Sequence, residues 1–180
     1  KDGRAKVASD EAEFYVDKTG RQVILQPEQV NYTLYKDFYN YGFRDANGQI
    51  VIPAKYTMAR NFTEGLAAVQ TPMVAYPGSS SGGTWGFIDK TGKEVIAATF
   101  EEAYPFSNGR ARIKQSGAYG FISRTGSTIV SAIYEDASDF SDGLAQVRFK
   151  NKNGFIDQAG KIVIPFKYDE AYGFRNGRAR

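Results

Sequence analysis

Gly86-Phe87-Ile88-Asp89, Gly120-Phe121-Ile122-Ser123 and Gly154-Phe155-Ile156-Asp157 are one phrase written three times. The copies begin at 86, 120 and 154, a fixed period of 34 residues. A period of that size marks a tandem array of one supersecondary unit. Working outward, each phrase is followed by a turn pair (Thr91-Gly92, Thr125-Gly126, Ala159-Gly160) and a β-branched pair (Val95-Ile96, Ile129-Val130, Val163-Ile164). An aromatic and acidic cluster comes next: Phe100-Glu101-Glu102-Ala103, Tyr134-Glu135-Asp136-Ala137 and Tyr168-Asp169-Glu170-Ala171. The units close on Phe106-Ser107-Asn108-Gly109, Phe140-Ser141-Asp142-Gly143 and Phe174-Arg175-Asn176-Gly177. An earlier copy starts at Gly42-Phe43-Arg44-Asp45, 44 residues before the next, and the excess falls in residues 71–84. A decayed copy precedes it, with Tyr15-Val16-Asp17-Lys18-Thr19-Gly20 and Val23-Ile24.

Two-helix repeats can share this period, but the apolar signal here is short β-branched pairs beside turn residues, without a helical stripe. Asp-Lys-Thr-Gly and Asp-Ala-Asn-Gly stand between two such runs, as hairpin loops do. The reading predicts three strands per unit, at about 109–114, 119–123 and 127–131 in the best copy. Alternation puts Trp85, Phe87 and Asp89 on one strand face and Gly86 and Ile88 on the other. On the first strand, Ala111 and Ile113 point inward and Arg110 and Arg112 away. Repeated glycine within a strand points to close packing against a neighbour. Tyr134, Ala137 and Phe140 lie at i, i+3, i+6, which suits one helical or 3₁₀ turn with all three inward. The fold class is therefore all-β: a tandem repeat array of three-stranded antiparallel hairpin units, coiling as an open solenoid or superhelix, with a propeller-like closed array as the alternative. The whole of 1–180 reads as a single array of about five units. These are a degenerate first unit at 1–41, a unit at 42–85 with an inserted loop at 71–84, units at 86–119 and 120–153, and a truncated unit at 154–180. Both ends fall at the same point of the unit, so the chain is expected to be part of a longer protein or assembly.

Composition narrows the chemistry. The 180 residues contain no cysteine and no histidine. Disulfides, thiol chemistry and Ser-His-Asp or Cys-His centres are thereby excluded, and the usual zinc and haem ligands are missing. Without cysteine the redox compartment is not readable. A net charge of +3 from 23 basic and 20 acidic residues is too balanced to argue for specific nucleic-acid binding. No apolar run is long enough for a transmembrane helix.

Trp85-Gly86-Phe87-Ile88-Asp89, with Gly92-Lys93, Val95-Ile96, Glu101-Glu102-Ala103, Phe106-Ser107 and Gly109, resembles the bacterial WG repeat, also called the KWG repeat. The resemblance covers 41–180 well and 3–24 loosely. Tyr41, Tyr119 and Asn153 stand where the family has its named Trp, and Pro follows the strand only at Pro53 and Pro165. The resemblance implies a β-rich array, common in bacteria and often in envelope or secreted proteins. It implies no catalytic residues and no cofactor.

Function is expected where the period breaks or where outward side chains recur. Residues 71–84 carry Met73, Val74, Tyr76 and Pro77, which suit a binding loop, although the Ser/Gly-rich tip suits a plain linker. Residues 27–41 carry Tyr32, Tyr35, Phe38, Tyr39 and Tyr41. Tyrosine clusters serve sugar or protein recognition, and Tyr35, Phe38 and Tyr39 also suit one face of a short helix capping the array. Arg4, Lys6, Arg110, Arg112, Arg178 and Arg180 share equivalent outward positions, either a polyanion patch or a charged face that discourages aggregation. The acidic pairs Glu101-Glu102, Glu135-Asp136 and Asp169-Glu170 sit side by side, whereas glycosidase carboxylates face each other across substrate, so turn roles are expected. The sequence thus reads as a non-enzymatic interaction module with a protein partner, or a cell-envelope component, held on its repeat surface and irregular loops. The alternative is a carbohydrate-binding module for a cell-wall or surface glycan, using exposed aromatics.

Overall fold

Glycine turns alternating with β-branched and aromatic runs give strands and no helix among the residues that the computed structural model describes, namely 5–8, 13–16, 19, 22–23, 31–72 and 83–174. Five antiparallel sheets follow one another along the chain. The first pairs β1 (Ala5–Ala8), β2 (Glu13–Val16) and β3 (Gln22–Val23) in that order. The second pairs β4 (Thr33–Asp37), β5 (Asn40–Arg44) and β6 (Ile50–Tyr56). The third adds a two-residue edge strand, β7 (Met58–Ala59), to β8 (Leu66–Gln70), β9 (Trp85–Asp89) and β10 (Glu94–Phe100). The fourth repeats this with β11 (Glu102–Ala103), β12 (Arg110–Gln115), β13 (Ala118–Ser123) and β14 (Thr128–Tyr134). The fifth does so again with β15 (Asp136–Ala137), β16 (Leu144–Phe149), β17 (Lys152–Asp157) and β18 (Ile162–Tyr168). The contacts between sheets join successive ones, and no closed barrel forms among the described residues.

Two sequence expectations are corrected. Tyr134, Ala137 and Phe140 are all buried, as their spacing asks, but in extended backbone rather than a helical turn. The reason is where the amides go. Glu135 N donates to Arg148 O and Ser138 N to Gln146 O, so the segment is satisfied by pairing across to β16 and not along itself. The stretch 27–41 holds no capping helix in its described part: Thr33–Asp37 is β4, paired in continuous register from Thr33↔Arg44 to Asp37↔Asn40.

The turns follow from their first residue. Asp89 Oδ1 accepts from Thr91 N (2.9 Å), Thr91 Oγ1 (2.6 Å) and Lys93 N (3.1 Å). Asp45 and Asp157 accept from the corresponding amides, and Ser123 Oγ does so at 3.3 and 3.2 Å. This fixes the hairpin that returns the third strand of each unit. That strand is bulged. Phe87 pairs with Ile96 but Trp85 with Phe100, so the strand swings over Gly86. A Cβ on Gly86 would stand 2.6 Å from Ile96 O, and one on Gly120 2.6 Å from Val130 O. The glycine of the repeated phrase is there because strand backbone occupies the space a side chain needs. Pro53 lies in such a bulged edge strand, where its missing N–H does no harm.

Each middle sheet is buried on both faces. Ile88 turns toward the preceding sheet with Ala67 and Val69, against Phe43, Ile52 and Tyr56. Phe87 turns toward the following one, with Ile96, Phe100 and Phe106, against Ala111, Ile113 and Ile122. A ring pair recurs from the second sheet onward: Phe43–Phe62, Phe87–Phe106, Phe121–Phe140 and Phe155–Phe174, with centroids 4.7, 4.9, 4.7 and 5.0 Å apart. Each fully buried ring contributes about 1.5–3 kcal/mol by area alone.

Candidate functional site

The bulge over each repeat glycine leaves a groove beside it, roofed by the last aromatic of the preceding sheet. At Gly86 the groove is a cavity of about 280 Å³ lined by Tyr56, Val69, Thr71, Ile88, Gly92 and Ala98, among others. One period on, beside Gly120, a cavity of about 240 Å³ is lined by the matching Phe100, Ile113, Gln115, Ile122, Gly126 and Ala132. At the third position the same space is occupied. Phe166 replaces Ala132, and Phe149 replaces Gln115. Their rings lie 5.6 Å apart, at 6.3 Å (Phe149) and 6.1 Å (Phe166) from the roofing Tyr134. A Cβ on Gly154 would meet Phe166 Cδ1 at 2.8 Å. At Gly42 the space is taken by Tyr35, whose Cε1 would lie 2.7 Å from such a Cβ and whose hydroxyl accepts from Ala54 N (3.0 Å). Of the four equivalent grooves among the described residues, the outer two hold aromatic rings and the middle two are open.

A second recurring feature is a ladder of arginines and rings. The Arg60 guanidinium lies 5.2 Å from the Trp85 ring centroid and 4.6 Å from that of Tyr104. Arg112 stacks on the same ring, 3.7 Å from Tyr104, and lies 5.6 Å from Tyr119. The Tyr104 hydroxyl donates to Glu102 Oε2 at 2.6 Å, and Lys114 Nζ reaches Oε1 at 3.4 Å. Burial, with the Glu102 hydrogen bond added, pushes the Tyr104 phenol up to about 12. The bond from Tyr104, outweighing burial and aided by Lys114, holds the Glu102 carboxyl below its ordinary value. This is a strut between sheets, since Arg60 Nε also donates to Ala103 O (3.0 Å) and Arg112 to Ala137 O and Asp139 Oδ1.

With this geometry in view, residues 41–71, 85–117, 119–152 and 154–180 each match the family of the WG containing repeat. The chain belongs to the WG-repeat family. No curated protein and no solved structure matches it. In WG-repeat terms, the Trp position is held by Tyr41, Trp85, Tyr119 and Asn153, and Trp85 and Tyr119 are rungs of the ladder.

The residues singled out in the sequence are scattered by the fold. Arg110 and Arg112 do point away from Ala111 and Ile113, but toward neighbouring sheets: Arg110 Nε donates to Gln158 O (2.7 Å) and its Nη1 to Asn108 O (2.8 Å). Tyr35 fills its groove beneath Arg44, which lies 4.3 Å from the ring centroid. Tyr32 packs edge-on against Phe62 at 5.7 Å, and burial, with Asp45 nearby, raises its pKa. Met73, Val74 and Tyr76 lie outside the described residues, as do Arg4, Arg178 and Arg180. Thr71 and Thr84 close the base of that insertion, with Thr71 N donating to Thr84 O at 2.9 Å. The acidic pairs tie off hairpins: Glu101 accepts from Gly117 N and Glu135 from Asn151 N. Sequence reasoning missed the groove and Arg60. The signal for the groove was present in size changes at fixed repeat positions, from Ala98 and Ala132 to Phe166 and from Thr71 and Gln115 to Phe149.

Proposed function

We propose that this chain is a non-enzymatic interaction module that holds a protein partner by seating its aromatic or large apolar side chains in the two open grooves beside Gly86 and Gly120. One observation carries the reading: the equivalent groove beside Gly154 already holds Phe149 and Phe166, so the site's shape accepts aromatic rings. Regular spacing of two such grooves suits an extended segment with two anchors, the arrangement by which repeat arrays gather affinity along a surface. Placement among bacterial envelope or secreted proteins rests on the family resemblance alone. The carbohydrate reading has less behind it, because the Tyr32 and Tyr35 rings are covered by Phe62 and Arg44.

The array itself suggests the test. Ala98→Phe and Ala132→Phe each copy what Phe166 does, filling one groove. Amide spectra of the wild-type chain titrated with N-acetyl-phenylalanine amide should shift at Gly86 and Gly120 and stay still in the doubly filled variant. Absence of any shift at these glycines, or equal shifts in the filled variant, would overturn the proposal.

A further inference from the structure

The two-residue turn that joins the first two long strands of a unit is built differently in the second sheet. In the fourth and fifth sheets it is Ser116-Gly117 and Lys150-Asn151, small or polar residues with positive φ at both positions (52° and 77°, 50° and 60°). These are what a two-residue hairpin turn asks for. Between β4 and β5 the turn is Phe38-Tyr39, closed by the pair Asp37↔Asn40. Phe38 is held at φ 50°, a left-handed conformation that a bulky residue seldom adopts. Phe38 is 89 % and Tyr39 85 % exposed. Turn geometry disfavours Phe38, and solvent disfavours the exposure of both rings, so the hairpin itself gives no reason for them. A strained phenylalanine beside an exposed tyrosine at a hairpin tip marks a contact that the isolated chain does not make.

We infer that this chain associates with itself, the Phe38-Tyr39 tip of one copy entering an open groove of a second copy. The inference rests on the groove reading above and names the occupant. Donor and acceptor are both on this molecule. The Gly120 groove is roofed by Phe100 and bordered by Ala132, at the position where Phe166 shows that a phenylalanine ring fits. The tip cannot serve its own unit, because the groove beside Gly42 is already filled by Tyr35. Tip and groove are different patches, so a reciprocal exchange of tips closes as a two-fold dimer, whereas a one-way contact leaves a free tip and a free groove and lets association continue beyond a dimer as concentration rises.

The test is sedimentation velocity of three proteins: the wild type, a tip variant (Phe38→Gly with Tyr39→Ser, which puts glycine at the positive-φ position) and the groove-filled variant (Ala98→Phe with Ala132→Phe). The wild type should associate with concentration in the micromolar to millimolar range. Each variant alone should lose about tenfold or more in association constant, the loss expected of a removed anchor. Mixed together, the two variants should form a complex of one tip variant with up to two filled copies that grows no further, since the tip variant offers both grooves and no tip and the filled variant one tip and no groove. A wild type that stays monomeric at millimolar concentration, association that survives in either variant, or variants that fail to combine would each overturn the inference. If the wild type is monomeric yet still binds N-acetyl-phenylalanine amide at Gly86 and Gly120, the self-contact falls and the groove reading stands. Circular dichroism of each variant checks that the sheets are intact.

Discussion

A methyl group at position 120 would stand 2.6 Å from Val130 O and 2.7 Å from Ala132 N, both backbone atoms that cannot swing aside. Gly120→Ala should therefore cost about 1–3 kcal/mol, read as a lowered urea midpoint with unchanged slope. Asp89 makes the opposite kind of argument, through attraction. Burial would raise its pKa, but the Thr91 hydroxyl, the Thr91 and Lys93 amides and the Lys93 charge together lower it. A depressed folded-state pKa means that the stabilisation is present above the unfolded value and is lost as pH falls through the folded one. Urea midpoints followed from about pH 6 to about pH 2 should fall for the wild type. Asp89→Asn should start lower and fall less steeply; an equal slope would show that this carboxylate does not carry the effect. Both roles were legible in sequence, because a glycine repeated within a strand and an aspartate repeated at a turn have few other reasons to recur. Arg112 was not. Its outward direction could be read from alternation, but the Tyr104 ring it stacks upon lies just past β11, and pairing between segments is not written in local order.

The elements show where periodicity alone misleads. A spacing of i, i+3, i+6 in Tyr134, Ala137 and Phe140 suits a helical turn, yet the segment is extended and its amides bond across to β16. An aromatic can be buried from an irregular extended segment as well as from a helix, and only the hydrogen-bond partners decide. The same segment delivers Phe140 to Phe121, the ring pair that recurs from the second sheet onward. Phe121→Ala should cost about 3–5 kcal/mol, as a fully buried ring does. A double-mutant cycle with Phe140→Ala should give a coupling of about 0.5–1.5 kcal/mol beyond area burial. Additive losses would mean that the two rings stabilise their sheets separately and do not join them. The three long strands of each unit were visible from β-branched pairs and turn residues. The two-residue strands β7, β11 and β15 were not, since two residues carry no pattern, and β4 was hidden because its Thr33–Asp37 sequence has lost the Gly-Leu-Ala form of its equivalents.

At the scale of the molecule, stability should be shared between neighbours and fade with distance along the array. Each middle sheet lends one face to the sheet before it and one to the sheet after, and no described strand reaches past its neighbouring sheet with more than slight contact. Such an arrangement behaves as a chain of nearest-neighbour interfaces rather than a single core. Ile96 is a suitable probe. It leaves the third sheet to pack on the Gly126 turn of the fourth, where a Cβ would meet its Cγ2 at 3.3 Å, and it is buried among Phe87, Phe106 and Ala111. Ile96→Ala should remove about 2–5 kcal/mol. Hydrogen exchange should place that loss: amides of β8, β9, β12 and β13 should exchange faster, while those of β16 and β17, one interface further on, change little. Uniform acceleration across all sheets would mean that the array unfolds as one cooperative body. In that case the two open grooves would be energetically linked, and a ligand seated beside Gly86 would tighten the groove beside Gly120 through the sheet between them.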